Sequence, residues 1–223
     1  MNDTDHEIVL VIAPHPDDDI IGCGGSILHH LQFGNQVFIA YITFGDGGDT
    51  GNFQQLRRTE TLEVARRMKV NEKNLHFLGE KVLNVNIHRT RELLMEILRE
   101  IQPSVVYLPY AGETTHPDHK AVHEAAIGAI RFSPGRWFRK EGDSRPTFSI
   151  EYVLGYEITE PIAHPSYIED ITDVFNEKIE ALKAHSSQNT GYAWGITGLN
   201  MARSHKPGMY AEAFEIIRAT HLF

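Results

Sequence analysis

The feature that most constrains the fold is a regular alternation of short apolar runs with segments of helical spacing. The first run, residues 8–13, is continuous, contains β-branched residues and ends at a proline, which predicts a strand buried on both faces. Similar runs predict further strands at residues 37–43, 75–78, 105–109, 152–156 and 214–218.

Between these runs, apolar residues recur every three or four positions, as on the buried face of a helix. This spacing predicts helices at residues 22–33, 54–68, 90–101, 116–131 and about 174–185. Strands that alternate with helices predict an α/β fold, a Rossmann-like open, mostly parallel sheet with helices on both faces. Ligands of such sheets bind beyond the carboxyl ends of the strands.

The remaining segments predict loops and one domain. Residues 45–52 are rich in glycine and aspartate and follow a strand, a position where loops often carry function. Residues 139–146 are typical of a surface excursion. No repeat or linker divides the 223 residues, so we expect a single domain spanning residues 1–223.

Composition argues against several classes of partner. A net charge of −9 disfavours nonspecific binding to nucleic acid or to an acidic membrane surface, although it leaves room for a local basic patch. No apolar stretch approaches the length of a membrane span, so we expect no stable membrane insertion. The acidic N-terminus lacks the basic region of a secretory signal, which predicts a cytoplasmic protein. The single cysteine, Cys23, lies among apolar residues and is predicted to be buried.

A dense polar cluster follows the first predicted strand. His15 and Pro16 precede three carboxylates, Asp17, Asp18 and Asp19. Three carboxylates and an imidazole on one turn are unfavourable unless solvent or a cation compensates them. Taken alone, this segment fits either a solvated acidic loop or a metal site.

A second cluster, His116-Pro117-Asp118-His119, follows the strand predicted at residues 105–109. His116 and His119 are three residues apart at a helix start, so they project from the same side, although two surface histidines are the plainer alternative. Because both clusters follow strands of one predicted sheet, they can face one crevice, which favours a metal site. Mixed nitrogen and oxygen ligands suit zinc, and three protein ligands leave a position open for water, as in catalytic sites.

These motifs resemble the LmbE-like or PIG-L N-deacetylases over most of the chain. The specific part is PHPDD at residues 14–18 together with HPDH at residues 116–119. Asp19 stands where the family usually has glutamate, and Lys69 where it commonly has glycine. Weaker similarities are a Gly-Asp-Gly loop at residues 45–47, RRTE at 57–60, AHSSQ at 184–188 and YAEAF at 210–214.

The resemblance implies a role for each residue of the two motifs. It implies that His15, Asp18 and His119 bind Zn²⁺, with Fe²⁺ as an alternative metal. Asp17 is then the general base, and His116, oriented by Asp118, assists the tetrahedral intermediate or the leaving amine. The chemistry agrees with this assignment, because zinc activates water near neutral pH and polarises an amide carbonyl.

The resemblance also implies a substrate, an N-acetylglucosamine-type sugar or glycoconjugate that loses its acetyl group. This small-molecule amino sugar would contact Asp46 and Arg57, with His185 at the border of the pocket; a homo-oligomer is compatible with this reading. The plainer alternatives are a solvated helix face for Arg57 and a helix end for His185. Trp137 and Trp194 are either a wall for sugar stacking or ordinary, partly buried aromatics.

Two other classes of function are open at this point. A Rossmann-like nucleotide-binding module is suggested by the glycines at positions 22, 24 and 25, but the HPDDD segment separates them from the strand, so close packing explains them more simply. A noncatalytic zinc-binding protein on the same scaffold is the second class. The presence of Asp17 and His116, neither of which is needed as a ligand, argues against it.

Overall fold

The computed structural model describes residues 6–47, 51–188 and 191–220, with only the backbone described at residues 191 and 192. Part of the predicted loop at residues 45–52 therefore lies outside the described residues. A short 3₁₀ turn, Glu72–Asn74, precedes the third strand. The helices and strands are β1 Ile8–Ala13, α1 Asp18–Gln32, β2 Gln36–Thr43, α2 Asn52–Met68, β3 Leu75–Glu80, α3 Ile87–Ile101, β4 Val105–Pro109, α4 Pro117–Phe132, β5 Tyr152–Tyr156, β6 Tyr167–Asp170, α5 Phe175–Leu182, α6 Gly191–Ser204 and β7 Ala211–Ala219.

The strands form one sheet in the order β3-β2-β1-β4-β5-β7-β6. The first five strands along this order pair in parallel, whereas β7 runs antiparallel to both β5 and β6. The predicted α/β fold with an open, mostly parallel sheet is confirmed. Strand order reverses between β1 and β4, which is where a sheet of this kind opens a crevice at its carboxyl edge.

Apolar side chains cover both faces of the sheet. Val9 and Val11 of β1 belong to one buried cluster, while Leu10 and Ile12 belong to another on the opposite face. The first cluster includes residues from α1, α2 and α5, and the second includes residues from α3 and α4. Because all four of these β1 side chains are fully buried, the prediction of a strand covered on both faces is confirmed.

Several boundaries differ from the sequence prediction for identifiable reasons. Helix α1 begins at Asp18, four residues earlier than predicted, and its first turn contains two aspartates, which favour a helix N-terminus. The sequence analysis missed β6, a four-residue edge strand that is mostly exposed and lacks an apolar run. It also missed α6, whose three glycines lower the helix propensity of the segment. Helix α5 ends at Leu182, short of the predicted end at His185.

The glycines of α1 allow close packing, as predicted. A Cβ atom on Gly22 would lie 2.1 Å from the Tyr156 ring and 2.6 Å from the Glu157 carbonyl oxygen. A Cβ atom on Gly25 would lie 2.5 Å from Ile171. Neighbouring side chains and backbone therefore fill the space above these glycines, which removes the reason for reading them as a phosphate-binding loop.

Two further expectations concern burial and membrane insertion. Cys23 is a free, buried cysteine inside α1, as its apolar surroundings predict. Within the ranges that the structure describes, no helix combines the length and the apolar character that crossing a bilayer requires.

Candidate active site

The two polar motifs meet at the carboxyl edge of the sheet. The first occupies the turn between β1 and α1, and the second opens α4 after β4, the strand next to β1. A cleft of about 260 Å³ lies there, and the five side chains that line it from the two motifs are His15, Asp17, Asp18, His116 and His119. Its other walls include Gly45, Arg57, Ile158, Thr159 and Gln188. The predicted crevice is therefore formed by the side chains of both motifs.

Asp18 lies between the two histidines with which it was predicted to bind a metal. Its Oδ2 atom is 2.9 Å from His15 Nδ1 and 3.5 Å from His119 Nε2. The backbone amide of His15 also donates to this oxygen, at 2.8 Å. All three residues are buried. The fold thus gathers two imidazoles and one carboxylate, which are 104 positions apart in sequence at their extremes, into direct contact.

His116 completes a group of three histidines around the cleft. One ligand atom from each of His15, His116 and His119 lies within 4.8 Å of the others, so this group can hold a metal ion. The ring of His116 stacks on that of His119, with their centroids 4.8 Å apart. Because His116 is the most exposed of the three, it is the histidine that a molecule in the cleft reaches most easily.

The charges of this cluster favour a cation. Burial lowers the pKa of His15, but the carboxylates of Asp18 and Asp118 outweigh it and raise the pKa to about 10. Burial also lowers the pKa of His119, yet Asp18 and Glu113 raise it to about 9. Burial raises the pKa of Asp18, and the two histidines bring it well below its ordinary value. The site therefore attracts positive charge, either as protons on the imidazoles or as a metal ion.

Asp17 is held in a strained and desolvated position at the cleft. Its backbone φ is 141°, a region that favours glycine, and such strain persists only where the surroundings fix it. Arg57 Nη2 donates to Asp17 Oδ2 at 3.1 Å and also to the Pro16 carbonyl. Burial and the neighbouring Asp18 raise the pKa of Asp17 to about 7, against the opposing effect of Arg57. A carboxyl group with this pKa exchanges protons near neutral pH.

Asp118 contacts a different histidine from the one predicted. Its Oδ2 atom is 3.0 Å from His15 Nε2 and accepts a hydrogen bond from the Leu83 amide at 2.9 Å, while His116 Nδ1 is 4.0 Å away. The cause is the start of α4, where His116 is the N-cap residue and its Nδ1 accepts from the Asp118 amide. That nitrogen is then not available to donate to the carboxylate. Asp118 orients His15 in this structure.

The residues predicted to contact substrate occupy different positions. Arg57 lines the cleft, but it is only 1% exposed and its guanidinium supports the first motif rather than a solvated helix face. Asp46 and His185 are buried and lie outside the cleft lining, although their neighbours Gly45 and Gln188 line it. Burial lowers the pKa of His185 to about 3, so its imidazole is neutral.

The two tryptophans do not form a wall beside the cleft. Trp194 is 84% exposed and Trp137 is 69% exposed, and neither belongs to the cleft lining. Ile158, Thr159 and Ile196 form part of the wall instead. These three residues follow β5 or lie on α6, and no motif in the sequence distinguishes them.

Glu113 is a site residue that the sequence analysis missed. It is fully buried, and its Oε2 atom lies 3.3 Å from His119 Nδ1. Its other oxygen accepts hydrogen bonds from the amides of Ile158, Thr159 and Glu160, at 2.6 to 3.1 Å. Glu113 therefore orients a predicted ligand and ties it to the loop after β5. An acidic residue three positions before HPDH, in the loop that follows a strand, was the available signal.

Comparison with known proteins agrees with the motifs. A family model described as "PIG-L: GlcNAc-PI de-N-acetylase" matches residues 10–130, which is more than half of the chain. This chain belongs to the PIG-L family. The matched region contains both polar motifs, RRTE and Glu113.

Relatives of this PIG-L family member have related names. The chain is 29% identical over 195 residues to a probable N-acetyl-alpha-D-glucosaminyl L-malate deacetylase 2 of Bacillus subtilis, covering 83% of this chain and 85% of the relative. It is 31% identical to the diacetylchitobiose deacetylase of Thermococcus kodakarensis, covering 84% of this chain and 72% of the relative. A solved structure of N,N'-diacetylchitobiose deacetylase from Pyrococcus horikoshii matches with a TM-score of 0.82 at 30% identity, covering 96% of this chain and 84% of the solved chain. The chain is accordingly an enzyme of the N-deacetylase class, which hydrolyses N-acetyl amides.

The segments with weaker similarity to the PIG-L family hold together the elements around the site. Glu60 of RRTE accepts hydrogen bonds from the Ser186 and Ser187 hydroxyls and from the Ser187 amide, at 2.6 to 2.8 Å. This joins AHSSQ to α2, the helix that carries Arg57. Glu212 of YAEAF pairs with Lys178 at 2.8 Å beneath α1. Glu60 and Glu212 themselves do not line the cleft, whereas Arg57 of RRTE and Gln188 of AHSSQ do.

Proposed function

We propose that the chain removes the N-acetyl group from an N-acetylglucosamine-type sugar or glycoconjugate, with a divalent metal held by His15, Asp18 and His119. One observation carries the proposal: the two imidazoles contact the same Asp18 oxygen at a cleft that also contains Asp17 and His116. A purely metal-binding protein has no need of the last two side chains.

The donor set fits zinc. Two imidazoles and one carboxylate are ligands that zinc accepts at catalytic sites, and three of them leave room for further coordination. Asp118 and Glu113 each hydrogen-bond to one of the imidazoles, the arrangement that orients histidine ligands in metalloproteins. Fe²⁺ accepts the same ligands and is the alternative. When bound, the metal supplies Lewis acidity, which activates water and polarises an amide carbonyl.

The other side chains of the cleft supply proton transfer. We assign Asp17 as the general base, because its pKa of about 7 suits removal of a proton from the attacking water near neutral pH. The water oxygen bonds to the acetyl carbon, the carbon–nitrogen bond breaks, and the amine nitrogen gains a proton. We assign His116 to assist the intermediate and protonate the nitrogen, since it is the accessible histidine. Acetate and a free amine result.

The size of the cleft and the names of the relatives support the substrate class. A cleft of about 260 Å³ is at the small end of ligand sites, which fits one acetamido sugar ring better than a long chain. The family description names GlcNAc-PI, and two relatives are named for N-acetylglucosaminyl malate and diacetylchitobiose. All three share an N-acetylglucosamine unit, and we infer that this unit occupies the cleft.

The test is acetate release from a panel of N-acetylglucosamine conjugates. The panel contains N-acetylglucosaminyl malate, diacetylchitobiose and an N-acetylglucosaminyl inositol, each with and without chelator. We expect release from at least one conjugate, loss of release with chelator, and recovery when Zn²⁺ or Fe²⁺ is added back. Zinc binding without release from any conjugate would contradict the proposed substrate class, and release that persists in chelator would remove the metal from the proposal.

A further inference from the structure

A basic and aromatic segment lies far from the cleft. Residues 131–140, RFSPGRWFRK, contain four cations and no acidic residue, in a chain whose net charge is −9. They begin at the end of α4, which starts at the cleft and runs for 16 residues, about 24 Å at 1.5 Å per residue. We call residues 131–140 the basic tip. It is the local basic patch that the overall charge left room for.

The basic tip exposes two adjacent large aromatic side chains. Trp137 is 69% exposed and Phe138 is 72% exposed. The Phe138 ring meets Phe132 edge-on, with centroids 5.3 Å apart, and leaves most of its surface in water. Adjacent exposed aromatic groups of this size are typical of interaction surfaces, because water solvates them poorly.

Positive charge surrounds these rings. Arg131, Arg136 and Lys140 are all exposed. In the part of the chain that the structure describes, neither Arg136 nor Lys140 forms a salt bridge, whereas the Arg139 guanidinium donates to backbone carbonyls of its own loop. The cations beside the aromatic rings are therefore available to a partner.

A buried arginine fixes the basic tip in this form. Arg99 of α3 is 1% exposed and donates to the carbonyl oxygens of both Trp137 and Phe138. Phe138 has a φ of 55°, which a bulky residue rarely adopts unless its surroundings hold it there. The fold thus presents these two aromatics to solvent on a fixed backbone.

We propose that the basic tip is a peripheral docking surface for an anionic lipid bilayer. Tryptophan and phenylalanine favour the boundary between water and acyl chains, and arginine and lysine are attracted to anionic headgroups. The groove beside the tip contains Glu92 and Glu96 but more cations, among them Arg89, Arg91 and Arg139, so single-stranded nucleic acid is the alternative occupant that the tests below distinguish from a bilayer. Docking is reversible, and the cleft at the other end of α4 stays open to water.

The first test uses vesicles and the chain's two tryptophans. In a Trp194→Phe variant, Trp137 is the only tryptophan, so its emission reports the tip alone. We expect a blue shift and co-sedimentation with vesicles of phosphatidylcholine and phosphatidylglycerol, weakening with added salt, and neither with pure phosphatidylcholine. The Trp137→Phe variant should show no shift from Trp194. Absence of binding to the anionic vesicles overturns the proposal.

The second test compares matched variants. The variants Trp137→Ala/Phe138→Ala and Arg136→Glu/Lys140→Glu should each weaken vesicle binding at least about tenfold. The controls are Phe33→Ala, an aromatic that is 75% exposed at the end of α1, and Lys73→Glu/Lys206→Glu, an equal change of charge at exposed positions. Vesicle binding of the controls should match that of the unmodified chain.

Acetate release from a soluble substrate serves as the folding check. The rate of acetate release should be equal in all of these variants. Vesicle binding does not depend on the proposed activity, so the two proposals can fail separately. Equal losses of vesicle binding in tip variants and controls overturn the proposal. Two other outcomes also overturn it. One is binding of a single-stranded oligonucleotide that the tip variants lose, without binding of vesicles. The other is a dimer, measured by sedimentation and lost in the tip variants, that does not bind vesicles.

Discussion

Two of the buried clusters of charged side chains are satisfied in different ways. In the first, which we call the core network, Lys178 Nζ donates to the Ile21 carbonyl, to Asn200 and to Glu212, at 2.8 to 3.1 Å. Glu212 also accepts from the amides of Gly25 and Ser26 and from the Ser26 hydroxyl. All three protons of the ammonium group are used, and the two charges cancel.

The second, the cleft cluster, consists of His15, Asp17, Asp18 and His119. Arg57 pairs with Asp17, whereas Asp18 contacts the imidazoles of His15 and His119, which change their charge with protonation. This cluster also borders a cavity, whereas Lys178 and Glu212 are fully enclosed. The difference indicates that an enclosed, charge-balanced pair supports the fold, while titratable groups gathered beside a cavity are typical of a functional site.

The largest effect is expected from Asp17→Asn. The amide matches the carboxylate in shape but cannot accept a proton, so kcat for acetate release should fall about 10² to 10⁴-fold. Metal content and thermal unfolding should stay near those of the unmodified chain. The matched variant His119→Ala removes a predicted ligand and should lose both metal and activity. Release at the original rate by Asp17→Asn would show that another group is the base.

The core network should respond through stability instead. Lys178→Met leaves the Glu212 carboxylate buried without its cation, so the free energy of unfolding in urea should fall by about 3 to 5 kcal/mol. The control Lys183→Met removes an exposed lysine, paired with Glu180, from the end of α5 and should change it by less than about 0.5 kcal/mol. Equal effects of the two substitutions would contradict the claim that the buried Lys178–Glu212 pair contributes more to stability than an exposed pair.

Glu113→Gln tests whether support residues affect the metal. Glutamine cannot accept all the hydrogen bonds that Glu113 accepts from His119 and the backbone, so zinc affinity, measured by chelator competition, should fall about 10 to 100-fold. Glu160→Gln is the control, since this partly exposed carboxylate accepts a hydrogen bond from the amide of Thr115, which lies on the same loop as Glu113. Unchanged affinity in Glu113→Gln would place Glu113 with the core network as a purely structural residue.

The smallest effect is expected at the end of α2. Lys69 has a φ of 64°, a left-handed conformation that glycine adopts at no steric cost, which explains the usual glycine here. Lys69→Gly should raise the free energy of unfolding by about 0.5 to 1 kcal/mol. Lys183 follows the last residue of α5 with an ordinary φ of −60°, so Lys183→Gly should lower the free energy of unfolding. A gain in both variants would contradict the conformational explanation.

Local patterns were enough to predict most of the fold. The run from Ile8 to Ala13 and the strand Val105–Pro109 were predicted with the observed bounds, because an uninterrupted β-branched segment between turn residues has few other buried arrangements. Helix α6 and strand β6 were missed, since glycines interrupt one and the other lacks an apolar pattern. Such elements form through contacts with distant residues rather than through local preference.

The sequence by itself determined the fold class and the residue types of the site. The two motifs were identifiable as one site because both follow strands, and parallel strands end at one edge. The family resemblance implied His15, Asp18 and His119 as its ligands. Only the tertiary structure decided that Asp118 contacts His15, that Glu113 contacts His119 and that Arg57 supports Asp17. Hydrogen bonds depend on atom positions to within a few tenths of an ångström, and packing of the whole chain sets those positions.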